Sequence, residues 1–148
     1  MLDILKRIEE VAQELNKVNE SKYESIKSGL IALKDVLELV DKEYVPHFKK
    51  LNKGFVLRVG NGRTINYNVG YPSFVYFNGH RVNVEVIEMQ LKSAKENPQS
   101  WQQDLGDYYK NIDLTLIETN LTKVLLDTLI ECENEIKAFN EELELVEE

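Results

Sequence analysis

Apolar residues between Ile4 and Tyr44 fall at Ile4, Ile8, Val11, Leu15, Val18, Ile26, Leu30, Leu33, Leu37, Val40 and Tyr44, in steps of three and four with one step of eight across Lys22. Such spacing lines them along one side of an α-helix. The step of eight admits two readings. It inserts four residues into a seven-residue repeat, a stutter that locally unwinds a left-handed supercoil. Alternatively, Asn19-Glu20-Ser21 interrupts the helix and Ser21 with Glu24 caps a new one, the hydroxyl accepting from one exposed N–H while the carboxylate reaches back to another. Pro46 is predicted to end the run, because the residue before a proline is pushed out of helical geometry.

The last third repeats the pattern, with Leu114, Ile117, Leu121, Leu125, Leu129, Cys132, Ile136, Phe139, Leu143 and Val146 at steps of three or four. One helix over 112–146 would extend roughly 52 Å at 1.5 Å per residue. Neither amphipathic rod buries its stripe alone. The economical solution is an antiparallel helical hairpin, a coiled-coil stalk that brings the termini together.

Between the arms the period changes to two. Gly60-Asn61-Gly62 and Asn78-Gly79 separate the runs FVLRV, TINYNV, FVYF and HRVNVEVI, which predicts four strands. Asn78-Gly79 suits a two-residue type I′ turn, setting Phe77 opposite His80, Tyr76 opposite Arg81 and Val75 opposite Val82. In the first hairpin a three-residue loop with Gly62 as a left-handed bulge pairs Leu57 with Ile65 and Phe55 with Tyr67, whereas a two-residue loop would mix the faces. From Glu88 to Glu96 a short helix is expected, broken at Asn97-Pro98; Ser100 with Gln103 could cap another that carries Trp101, Leu105 and Tyr108. The expected fold is thus α+β in one domain: helical arms at 1–46 and 112–146, an inserted four-stranded antiparallel β-meander at 54–87, and a connecting segment at 88–111.

Length and composition agree with a folded domain. The chain has 148 residues, 43% of them apolar and 30% charged. A single cysteine, Cys132, excludes an internal disulfide framework and fits a reducing compartment, so the cytoplasm is the expected location. No apolar run approaches the roughly 20 residues of a membrane span, and MLDILKRIEE reads as an amphipathic helix rather than a signal peptide. Charge is segregated. Residues 1–46 carry 7 basic and 10 acidic side chains, 47–86 carry 6 and 1, and 87–148 carry 5 and 15, so a cationic middle lies between anionic arms.

The residues offer little for catalysis. Two histidines, His47 and His80, sit on different elements and the cysteine lies in a helical seam, so no metal site or nucleophilic pair assembles from motif. Gly60-Asn61-Gly62 lacks the lysine and helix start of a phosphate loop. Asp104, Asp107 and Tyr108 are expected on an exposed helix turn, which would give no burial to separate their pKa values for acid and base roles. No enzyme activity and no cofactor are expected.

Two surfaces are more informative. The sheet face turned from the core should display Val56, Arg58, Thr64, Asn66 and Asn68 from one hairpin, and Phe74, Tyr76, Arg81, Asn83 and Glu85 from the other. Arg58, Asn66, Tyr76, Arg81 and Asn83 are the candidate ligand residues, since arginine forks phosphates, asparagine reads base edges and tyrosine stacks. The competing reading is a solvent face on which Tyr76 and Arg81 merely stabilise one another. Apolar residues outside the main stripes form the other surface: Val36, Leu39, Leu116, Val124, Leu126 and Ile130 are candidates for an oligomer interface, because a helix apolar on several sides must be enclosed. The expected function is a non-enzymatic homo-oligomer that acts through contacts with another macromolecule, a protein partner foremost. Binding of nucleic acid or a phosphorylated small molecule on the sheet face is the alternative, and an acidic accessory protein or inhibitor that occupies a partner's nucleic-acid groove is the third. The acidic arms argue against a membrane surface.

Overall fold

α1 runs unbroken from Leu2 to Leu39, so Ser21 does not start a second helix. Neither proline nor glycine lies near that point, and asparagine, glutamate and serine each cost only a few tenths of a kcal/mol inside a helix, about 0.7 at most. Helical geometry also passes Pro46, contrary to expectation. A π turn at Val40–Tyr44 widens the helix, and α2, Val45–Lys50, restarts with Pro46 in its first turn, where the missing N–H is not needed. α2 closes at Asn52, whose φ is +55°. The Asn52 N–H donates to the Lys49 carbonyl and the Lys53 N–H to the Phe48 carbonyl, both at 3.1 Å, the paired closure that a left-handed residue permits.

These elements come from a computed structural model, which describes residues 2–60, 62–77, 79–101 and 112–147. The strands β1 (Phe55–Gly60), β2 (Arg63–Tyr67), β3 (Phe74–Phe77) and β4 (His80–Val82) follow, then α3 (Val84–Glu96), a 3-10 turn (Pro98–Ser100) and α4 (Leu114–Glu147). The fold is α+β, mostly helical, with long helices at both ends of the chain and an antiparallel sheet of order β1-β2-β3-β4 between them.

Both predicted registers are present. Phe55 pairs with Tyr67 and Leu57 with Ile65; Val75 pairs with Val82, Tyr76 with Arg81 and Phe77 with His80. The first hairpin absorbs its extra residue differently from expectation: the register shifts between Arg58 and Gly60, in β1, instead of at Gly62. Asn61 and Asn78 lie outside the described residues, as do 102–111, where the helix with Leu105 and Tyr108 and the acidic group of Asp104 and Asp107 were expected. The sheet is also shorter than predicted, ending at Val82 rather than residue 87. Val84, Ile87, Leu91 and Ala94 carry a helical spacing that overlaps the alternation of VNVEVI, and helix wins from Val84 onward.

The chain divides into two compact units, Met1–Asp35 with Val84–Ile112, and Val36–Asn83 with Asp113–Glu148. In the first, the buried apolar side chains are Ile26, Leu30 and Leu33 of α1 with Ile87 and Ala94 of α3. Lys34 and Glu88 meet at 3.3 Å, and the Lys22 ammonium donates to the Gln99 carbonyl.

The second unit holds the sheet. Phe55, Leu57, Ile65, Tyr67, Val75 and Val82 form its buried face, with Leu37, Val40, Phe48, Ile117 and Leu121 from the helices. The Phe48 and Phe55 rings lie 4.6 Å apart, and Phe55 and Tyr67 6.1 Å. Polar ties complete it. The Tyr44 hydroxyl donates to the Glu118 carbonyl, the Ser73 N–H to Asp41 Oδ1 at 2.9 Å, and the Leu116 N–H to Asp113 Oδ1, which caps α4. Lys53 reaches Glu135 at 2.9 Å and Glu131 at 3.8 Å, and the Glu135 hydrogen bond holds its pKa above the usual lysine value.

Candidate functional site

Strand pleating sends alternate side chains to opposite faces, so the registers above fix what shares the outer face of the sheet. Arg58, Thr64, Tyr76 and Arg81 occupy one cross-strand row, and Val56, Asn66 and Phe74 the next. Val56, Arg58, Tyr76 and Arg81 are exposed, while Thr64 and Phe74 are half-buried.

Two interactions refine the expected site. Arg81 places its guanidinium 4.1 Å from the ring centre of Phe74, a diagonal neighbour, and not over Tyr76 directly opposite. Asn66 is buried, and its amide donates to Thr64 Oγ1 at 2.7 Å. The sheet face therefore brings together three of the five candidate ligand residues as available side chains: Arg58, Tyr76 and Arg81. Asn66 is turned to its own strand. Asn83, half-buried, sits at the junction between β4 and α3, and Glu85, expected on the same face, belongs to the first turn of α3.

The nominated interface residues also separate. Leu116, Leu126 and Ile130 on α4 are 46% to 55% exposed, whereas Leu39 and Val124 are half-buried and Val36 is buried in its own unit. More apolar surface lies along the helical stripes themselves. Ile4, Ile8, Val11, Leu15 and Val18 are each 56% to 60% exposed, and on α4 Ile136 and Phe139 reach 62% and 59%. Burial on α1 begins at Ile26, directly after the step of eight.

One feature was missed in the sequence. A shallow groove of about 290 Å³ runs between α2 and α4, lined by His47, Lys50, Leu51, Leu125 and Leu129. Its lining joins Leu125 and Leu129 of the α4 stripe to His47, Lys50 and Leu51; only a continuation of helix beyond Pro46 could have foretold it. Among the described residues, no three His, Cys, Asp or Glu side chains gather as a metal site requires, and no helix is long and apolar enough to cross a membrane.

No protein-family model matches the chain, and neither does any curated protein or solved structure.

Proposed function

We propose that the chain is a non-enzymatic binding protein that self-associates through its helical arms and acts by macromolecular contact. The observation that carries this reading is apolar exposure beyond what one pair of helices can cover: Leu116, Leu126 and Ile130 lie in water in addition to two regular stripes, Ile4 to Val18 on α1 and Leu129 to Val146 on α4. Each keeps a strict alternation of three and four, the period of a left-handed coiled coil. Stripes of that length left in water call for a partner helix.

The two stripes suit each other. In the antiparallel hairpin expected from their spacing, Ile4 would face Leu143, Ile8 Phe139, Val11 Ile136 and Leu15 Cys132. Leu116, Leu126 and Ile130 then remain as the surface that joins copies. Sedimentation equilibrium tests the assembly: a dimer or larger species is expected, and Leu126→Lys with Ile130→Lys should shift it to monomer. A strict monomer over a wide concentration range overturns the reading. The stalk is tested by oxidising Leu15→Cys, which should cross-link to Cys132; failure to cross-link while both thiols react freely rejects that pairing.

A further inference from the structure

We propose that the outer face of the β-sheet binds single-stranded nucleic acid. The inference goes beyond self-association and does not depend on it. Its first support is charge. Between Glu43 and Glu85 the chain has no carboxylate, although it carries 26 acidic residues elsewhere, and this stretch includes β1 to β4. The sheet is thus a cationic surface on a protein of net charge −8, and charge separation of this kind draws a polyanion to one place.

Geometry supplies the second support. Arg58 and Arg81 stand at the two ends of the row Arg58–Thr64–Tyr76–Arg81, about 14 Å apart across three strand spacings of ~4.8 Å. Between them the Tyr76 ring is 46% exposed. Among the described residues no carboxylate pairs with either arginine, and Arg81 lies over the Phe74 ring, which offers no carboxylate or carbonyl acceptor, so an anion can take its N–H groups. Phosphates at both ends and a base on the tyrosine make one connected ligand.

The choice of a single strand follows from Tyr76 and Asn66. A ring in the middle of a flat face stacks on a base only when that base is free of its own duplex. Duplex DNA would reach the arginines and leave both Tyr76 and the 65% exposed Val56 unused. Asn66, the residue best suited to read a base edge, is held by Thr64, so binding is expected to show little sequence preference.

The test is fluorescence anisotropy of a labelled single-stranded oligothymidylate with the full chain, repeated over a salt series. Saturable binding is expected, with a slope of log affinity against log salt of about −1.4 for two phosphate contacts. Tyr76→Ala should weaken binding about tenfold or more and Tyr76→Phe should retain it, because stacking needs the ring and not the hydroxyl. Arg58→Ala with Arg81→Ala should abolish binding, and Arg58→Lys should keep most of it; thermal melting of each variant separates lost binding from lost fold. Absence of binding at low salt, or binding unchanged in the double arginine variant, overturns the proposal. Equal affinity for a duplex of the same length, or displacement by a mononucleotide at matched concentration, overturns the single-strand assignment.

Discussion

Arg81 lies over the ring of Phe74, one row away, although the register places it directly opposite Tyr76. The contact fixes one arginine of the outer face while leaving the Tyr76 ring open. A cation over an aromatic face at an exposed site is worth about 0.5–1 kcal/mol. A double-mutant cycle of Phe74→Leu and Arg81→Ala, followed by urea unfolding, should return a coupling energy in that range. The same cycle on Tyr76 and Arg81 should return almost none.

Gly54 precedes β1, and a Cβ placed on it would run into the carbonyl oxygen of Tyr67. Because that oxygen belongs to backbone, no rotamer change relieves the overlap. Gly54→Ala should cost about 1–3 kcal/mol, as overpacking does, visible as a lowered midpoint in thermal unfolding.

Ser73 gives opposite predictions for its two polar groups. Its N–H is satisfied by Asp41, so Asp41→Ala should destabilise by about 1–3 kcal/mol through an orphaned donor, while Asp41→Asn keeps an acceptor and costs less. Its hydroxyl is fully buried and unpartnered among the described residues, so Ser73→Ala should be neutral or stabilising in the same unfolding assay.

Lys53 provides the pH dependence. Its folded pKa is raised above the usual value of 10.5, chiefly by the hydrogen bond to Glu135 and the charge of that group, with a smaller contribution from Glu131. For a raised pKa the stabilisation is fully present below the unfolded value and disappears as pH rises through the folded one. The melting temperature of the native chain should therefore exceed that of Lys53→Met at neutral pH by a small amount, since both partners face solvent, and the two should converge in alkali above the ordinary lysine range.

Much of the sheet was readable in advance because two constraints agreed. The Asn78-Gly79 pair set the register of the second hairpin, and in the first the alternation of Phe55, Leu57, Ile65 and Tyr67 allowed one register without mixing faces, although the extra residue lies in β1 and not in the loop. The end of the sheet was not readable: Val84 and Ile87 satisfy both a period of two and a helical step, and only packing in three dimensions separates them. Pro46 misled because the preference against helical geometry before a proline is a bias and not a bar: Val45 takes φ −53° and ψ −41°, and Pro46 falls in a first turn that needs no N–H from it. As for the outer face, the row of Arg58, Tyr76 and Arg81 followed from register. The engagement of Asn66 with Thr64 depends on a side-chain rotamer, and no sequence pattern specifies that.

The step of eight at Lys22 makes α1 two rods spliced end to end. A helix coiling along Ile4 to Val18 keeps phase for 14 residues, about 21 Å, and then finds the apolar track rotated away from it. Any clasp on that end of α1 is therefore short, some four turns, and its strength must come from sharing the load with other contacts rather than from extending the grip.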